Sequence, residues 1–305
     1  MTSPQRIAVT GGSGYLGSLL VAQLRSNGHK VFNLDSRISN SENDHSMDIQ
    51  DENSVREIFA RERFETVFHF AAKKSIPESF ENPSLYREVN LQGTKNIGSA
   101  SLSTGVKKLI FASSAAVYGN VKNSPVSETT PLRSENPYAE SKILAENYLL
   151  ENNGNGSLQI DIIRIFNVVG SHEYFKPTEF GNLYFALDRA MRNNISFALY
   201  NNSMQTPDGT CVRDYISVRQ VAQFALSLLD MPSLGQNRIF NACNGIGFSV
   251  REVIDEFRRQ YNKEVEVDTT QSRLGDIPTI VGDPTRAKQQ LGFSVKTSLA
   301  SILFG

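Results

Sequence analysis

The chain has 305 residues, 39% hydrophobic and 21% charged, with a formal net charge of −1. That length is enough for one large core or two joined ones. The near-zero charge gives no electrostatic reason to expect nucleic acid or a membrane surface as partner, and no apolar run approaches the roughly 20 residues that a membrane span needs. Two cysteines, Cys211 and Cys243, and no signal peptide read as free buried thiols in a reducing, cytoplasmic setting. The four histidines, at 29, 45, 69 and 172, pair with no other His or Cys at ligand spacing, so no metal is expected.

In chain order, apolar or β-branched runs at 6–10, 30–35, 66–72, 108–114 and 159–167 read as buried strands. Helical patterns lie between them at 15–27, 52–63, 84–104 and 138–152. This alternation predicts an α/β fold, a doubly wound parallel Rossmann-type sheet, with a smaller interleaved α/β substrate domain. After residue 167 the rhythm breaks. A polar, aromatic loop at 170–182 precedes a helix at 182–193 and a strand at 196–200. Residues 212–218 lead into a helix at 218–230, and 239–243 reads as a strand rejoining the main sheet. Two amphipathic helices follow: 249–262, capped by Ser249, and 283–292, with Asp283 as cap, Pro284 in the first turn and Gly292 at the exit. The expected division is 1–167 with about 210–243 returning to it, against 168–209 and 244–305.

The segment VTGGSGYLGSLL (9–20) joins the first strand to the first helix. Gly12, Gly14 and Gly17 satisfy G-x-G-x-x-G, and Gly11, Gly14 and Gly17 satisfy G-x-x-G-x-x-G. Such a loop lets a pyrophosphate approach the free N–H groups of a helix N-terminus. Asp35 ends the second strand, where an acid binds a ribose hydroxyl pair and favours NAD over NADP. Arg37 dissents, since an arginine there can hold a 2′-phosphate. Asp48 is placed either to meet the adenine or to be a solvated loop carboxylate.

Ser113 and Ser114 end the fourth long strand, on the side where open α/β sheets bind ligands. Capping of the next turn is the ordinary alternative for Ser114. In NPYAESK (136–142), Tyr138 and Lys142 stand one helical turn apart on one face. A free tyrosine, with a pKa near ~10, is a poor base at neutral pH, and a nearby ammonium favours the phenolate. Alone the pair is an ordinary helix feature. Beside the glycine loop, Asp35 and Ser114 it reads as an acid/base site.

These residues together resemble the extended short-chain dehydrogenase/reductase superfamily and, more narrowly, the UDP-glucose (UDP-galactose) 4-epimerase family. The likeness runs from about Arg6 to Phe293. It is carried by residues 9–18, 67–94 and 112–120, by NPYAESK, by DGTCVRDYISV (208–218), and by RLGDIPTIVGDPTRAKQQLGF (273–293). The resemblance implies NAD as cofactor and a UDP-sugar as substrate. It implies Tyr138 as base, Lys142 as its tuner, and Ser114 as the partner of the sugar 4-oxygen. For the cofactor it implies Gly11, Gly14, Tyr15, Leu16 and Gly17 at the pyrophosphate, Asp35 at the ribose, and Asp48 and Ile49 at the adenine. Phe70, Ala71, Ala72, Lys74, Asn90, Ser113 and Phe166 line the same crevice. For the nucleotide sugar it implies Lys74, Asn167, Asn182, Leu183, Ala198, Tyr200, Arg213, Tyr215, Arg273 and Asp276. Arg213 and Arg273 suit a bidentate diphosphate clamp; a surface ion pair is the plain alternative for either. A homodimer through helices 84–104 and 138–152 is also implied.

The expected reaction interconverts UDP-glucose and UDP-galactose, or the N-acetylhexosamine pair, through a transient 4-keto sugar. Ile280 stands where the family gates the sugar C2 substituent, and its small apolar side chain keeps both pairs open. A nucleotide-sugar dehydratase would need an Asp-Glu pair where Ala115 and Ala116 stand. A net reductase using NADPH is opposed by Asp35. A non-catalytic NAD-binding protein would be expected to have lost Tyr138 or Lys142.

Overall fold

The computed structural model of the chain describes residues 3–37, 42–176, 182–200, 204–232, 235–270 and 275–305. Its main body is a seven-stranded sheet in the order β10-β6-β5-β4-β1-β2-β3, with all pairings parallel. The strands are β1 (Arg6–Thr10), β2 (Lys30–Leu34), β3 (Asp44–His45), β4 (Thr66–His69), β5 (Lys108–Ser114), β6 (Gln159–Ile165) and β10 (Arg238–Ala242). The order reverses at β1, whose neighbours β2 and β4 run outward in opposite directions. That is the switch point at which open parallel sheets form a ligand crevice.

Period-two burial explains the two-sided cover. Ile7, Val9, Ile110 and Phe240 face one cluster, with α1 (Tyr15–Ser26), α8 (Val218–Asp230) and α10 (Thr285–Leu291). Ala8, Leu109 and Phe111 face the other, with α2 (Glu52–Glu62), α5 (Gly93–Thr104) and α6 (Pro137–Glu151). Both faces of each strand are therefore apolar, as the near-continuous hydrophobic runs require.

The smaller part is built on β9 (Val212–Ser217). It pairs with β7 (Asn167–Val169) and β13 (Thr279–Ile280) in parallel and with β11 (Gly247–Ser249) antiparallel. β8 (Phe197–Tyr200) pairs with β12 (Val267–Thr270). A third cluster joins these strands to α7 (Leu183–Asn193), α9 (Val250–Tyr261) and α11 (Leu299–Phe304). β9 itself belongs to this smaller sheet, so the chain rejoins the large one from α8 onward.

Several boundaries differ from the sequence reading, each for a local reason. The strand predicted over 159–167 breaks at Phe166, whose N–H turns to the Ala242 carbonyl, and Asn167 continues in the other sheet. The helix predicted over 84–104 is α4 (Pro83–Tyr86), a π-turn at Arg87–Gln92, then α5. α3 (Ile76–Glu81), a 3-10 turn at Ala115–Tyr118 and α11 were not predicted. Ser249 caps α9 in a capping box with Glu252, as expected. The N-cap of α10 is Pro284 rather than the expected Asp283, which stands one residue earlier and accepts the Thr285 N–H at 2.9 Å; Gly292 ends α10 in the left-handed conformation. No helix among the described residues is long and apolar enough to cross a membrane, and no group of three or more His, Cys, Asp or Glu among them could hold a metal.

Candidate functional site

The crevice opens over the carboxyl ends of β1 and β4. Gly11 sits at φ +70°, and a Cβ there would lie 2.7 Å from the Ala71 nitrogen. At Gly17 a Cβ would lie 2.2 Å from the Gly11 carbonyl oxygen, so α1 docks on its own loop only without a side chain. Gly14 is the N-cap of α1 and supplies no side-chain cap. The first-turn N–H groups are thus left for another acceptor, and there is no acid in the first turn to repel an anion. This cradle fits a dinucleotide pyrophosphate.

Around it stand the other expected cofactor residues. Asp35, buried at 5% exposure, accepts the Ser13 N–H at 3.1 Å and forms a two-point ion pair with Arg37. Arg37 holds its carboxyl below the usual range against the opposing effect of burial. Leu16 packs between the clusters of the two parts. Phe70 and Ala71 lie beside β1, their N–H groups bonded to the Thr10 carbonyl and hydroxyl. Ala72 leads from them to Lys73 and Lys74. Lys74 is exposed, and desolvation, then the Arg37 charge, pull its pKa down. Ile49 is buried against Gly93, and Asp48 is exposed in a local turn that binds Gln50.

Three of the expected residues turn away from the crevice. Ser113 and Ser114 were read as facing it together, but the pleat alternates them. The Ser113 hydroxyl donates to buried Glu146, on the core side. Asn90, in the π-turn, spends its amide on the Lys73 N–H and carbonyl and on Ser141. It ties the crevice wall to α6. The Tyr15 side chain leaves the glycine loop altogether. Its hydroxyl donates to the Gly170 carbonyl at 2.5 Å, and its ring stacks on His172 at 5.7 Å. Burial pushes its phenol far up.

Ser114 and Tyr138 do meet. Asn136 caps α6 through the Ala139 N–H at 2.8 Å, with Pro137 in the first turn. This brings Tyr138 onto the end of β5, with its hydroxyl near enough to that of Ser114 for the latter to favour the phenolate. The Ser114 oxygen accepts the Ala116 N–H at 3.2 Å, so it also caps the turn that follows. Burial raises the Tyr138 pKa; the nearby Ser114 hydroxyl opposes that rise. Lys142 lies one turn on, buried, but its ammonium donates to the Ala112 carbonyl at 2.8 Å and sits 4.6 Å over the Phe111 ring. Desolvation pushes it down to about 7, and Glu146, one turn further on, pulls the other way. Sequence reasoning missed Glu146, although its spacing after Lys142 repeats that of Lys142 after Tyr138. It also missed Arg164, which binds Glu146 at 2.7 Å in a buried pair.

The smaller sheet faces the same crevice. Phe166 is buried with Ala115, Tyr118 and Ile280. Asn167 pairs with Tyr215 across β7 and β9. Arg213 donates to the carbonyls of Val212 and Pro278, at 3.0 and 3.3 Å, and makes no ion pair among the described residues. Its charge opposes the desolvation that raises the buried Tyr215 phenol. Asp214, between them, accepts three backbone N–H groups, from Asn244, Gly245 and Gly282. It pins β9 to both neighbouring loops. Asn182 is the N-cap of α7 and accepts the Phe185 N–H at 3.0 Å; Leu183 follows in the third cluster. Ala198 is half-buried on β8 and Tyr200, at its end, is 44% exposed. Asp276 is half-buried. Arg273 lies outside the described residues.

The arrangement is a phosphate cradle, a hydroxyl pair at a strand end, and an arginine on the facing sheet. Known proteins resemble the chain over nearly its whole length. The chain is 33% identical over 317 residues to the UDP-glucose 4-epimerase of Bacillus subtilis, covering 96% of this chain and 93% of that protein. Among solved structures it is similar to the UDP-glucose 4-epimerase of Bifidobacterium longum in complex with NAD+ and UDP. The TM-score is 0.91 at 29% identity, over 97% of this chain and 95% of that one. It is also similar to the UDP-Glc/GlcNAc 4-epimerase of Campylobacter jejuni. There the TM-score is 0.81 at 29% identity, over 98% and 96% of the two chains. The model of the NAD dependent epimerase/dehydratase family matches residues 7–243, and the chain belongs to that family.

Proposed function

We propose that the chain is an NAD-dependent UDP-hexose 4-epimerase. It interconverts UDP-glucose and UDP-galactose, or the N-acetylhexosamine pair, through a transient 4-keto sugar. The observation that carries this is the Ser114–Tyr138 hydroxyl pair at the end of β5, beside the uncapped glycine loop. The family and the named relatives supply the substrate class.

In this reading the seven-stranded sheet and its helices, including α8, hold the dinucleotide, and the smaller part built on β9 holds the nucleotide sugar. The glycine loop, the Asp35–Arg37 pair at the ribose end and Lys74 hold the cofactor, which when bound supplies the acceptor and later the donor of the C4 hydride. Tyr138 takes the proton of the sugar 4-hydroxyl, with Ser114 between them as relay. Its phenol is raised by burial, so it becomes a base only beside positive charge, a part assigned in this reading to Lys142, one helical turn on. Arg213 and Arg273 grip the diphosphate. That grip is remote from the reacting carbon, so the hexose can turn over between proton removal and return. Ala115 and Ala116 offer no acid for expelling water, which disfavours a dehydratase. The two buried cysteines, neither in a disulfide, suit a reducing cytoplasm. A homodimer through residues 84–104 and 138–152 is part of the proposal, and light scattering on the purified chain tests it.

The purified chain, given UDP-galactose without added reductant, is expected to produce UDP-glucose, read by NMR. The same panel with N-acetylated sugars decides the C2 substituent. Tyr138→Phe is expected to cut turnover by at least about a hundredfold while dinucleotide stays bound. Full turnover in that variant would remove Tyr138 as the base.

A further inference from the structure

The acid at the end of β2 is already occupied by its own neighbour. Asp35 Oδ1 accepts the backbone N–H and the Nε–H of Arg37, both at 3.0 Å. Its Oδ2 accepts Arg37 Nη2 and the Ser13 N–H, both at 3.1 Å. A carboxylate has about four lone-pair sites, and these bonds use them. A ribose diol therefore finds no open acceptor on Asp35 unless Arg37 lets go of one edge.

The outward surface here is the guanidinium. The Asp35 side chain is 4% exposed and that of Arg37 62%. The bidentate pair fixes the plane of the guanidinium. Nη1 makes no bond among the described residues. Ser36, beside it, is also exposed. Nη2 lies 3.6 Å from where a side chain on Gly14 would begin, so the group runs alongside the glycine loop. Lys74 feels its charge across the crevice. Two cations and the positive end of α1 thus face one neutralised acid.

An unpaired acid at this place selects NAD by accepting the diol and repelling a 2′-phosphate. Here the repulsion is cancelled, and a planar group with open donors stands in its place. We propose that Arg37 and Ser36 form a 2′-phosphate subsite, so that the dinucleotide site takes NADP as well as NAD. The inference rests on the dinucleotide reading above and concerns only which dinucleotide is held.

The test is isothermal titration of the full chain, freed of co-purifying nucleotide, with NAD, NADP, ADP and 2′,5′-ADP. NADP is expected to bind within about thirtyfold of NAD. Arg37→Ala is expected to weaken 2′,5′-ADP at least about tenfold more than ADP, and Arg37→Lys to fall between that variant and the parent. NADP binding weaker than that limit overturns the subsite. So does equal loss of ADP and 2′,5′-ADP in Arg37→Ala, which would put Arg37 on the groups the two share. If NAD binds and NADP does not, only this inference fails; if neither binds, the proposed function fails with it.

Discussion

His69 stands at the end of β4, almost fully buried, and its neighbours fix its tautomer. The Thr94 hydroxyl donates to the Asn90 carbonyl at 2.5 Å, so it accepts from His69 Nε2–H at 2.9 Å. Nδ1 is then the acceptor for the Thr10 hydroxyl at 2.7 Å, and Thr10 in turn accepts the Ala71 N–H. One chain of bonds runs from the crevice wall to the π-turn, and it requires a neutral imidazole. Burial, then the charge of Lys142, pushes the His69 pKa from its ordinary 6.5 down to about 3. Between those values the unfolded chain binds a proton that the folded chain refuses, so stability rises with pH across that window and is lost toward acid. His69→Gln, neutral throughout, is expected to be less stable at pH 7 by about 1–3 kcal/mol. It should also show a shallower fall in melting temperature between pH 6 and pH 4. Asp35, held low by Arg37, loses its share in both proteins, so the difference in slope isolates His69. Parallel profiles would show that the histidine is not the acid-sensitive group.

At the scale of elements, α7 shows what a sequence motif conceals. The resemblance implies Asn182 at the nucleotide sugar, yet its carbonyl oxygen caps the helix and its amide reaches Val168 at 3.4 Å. Asn182→Ala is expected to lose about 1 kcal/mol in urea unfolding, and Asn182→Asp, which keeps the cap, to recover most of it. If Asp restores stability but raises KM for UDP-galactose, the amide also meets substrate. The parallel strands, the glycine loop and the Ser249 cap were legible because they depend on local pattern: period two, three glycines, and a serine before an amphipathic run. The π-turn was not. No residue type marks a π-turn, and Asn90 within it is held by Lys73 and Ser141, which lie in distant segments. The site divides along the same line. Ser114 and Tyr138 are brought together by a strand end and a capped helix, both readable. Lys142 lies on the predicted face, but its ammonium is directed by the Ala112 carbonyl and the Phe111 ring, which no spacing in α6 announces.

For the whole molecule, the question is how the two sheets act as one crevice. Tyr15 is the most direct tie. It begins the helix of the glycine loop, yet its hydroxyl bonds Gly170, and His172 Nε2 donates back to the Tyr15 carbonyl at 2.7 Å. Phe175 and Phe185 close on the same ring. Leu16 and Val168 each pack on both the large-sheet cluster and the small-sheet cluster. With the cores shared in this way, neither part can open without exposing apolar surface of the other, so unfolding is expected to be a single transition by far- and near-ultraviolet dichroism. Tyr15→Phe keeps the ring and loses one hydrogen bond, about 1 kcal/mol. Tyr15→Ala removes the ring and is expected to cost about 3–5 kcal/mol. In that variant the near-ultraviolet signal, to which the aromatic small-sheet cluster contributes strongly, should melt before the far-ultraviolet signal of the seven-stranded sheet. A parent protein that already melts in two steps would show that this contact positions the crevice without coupling the stability of its two walls.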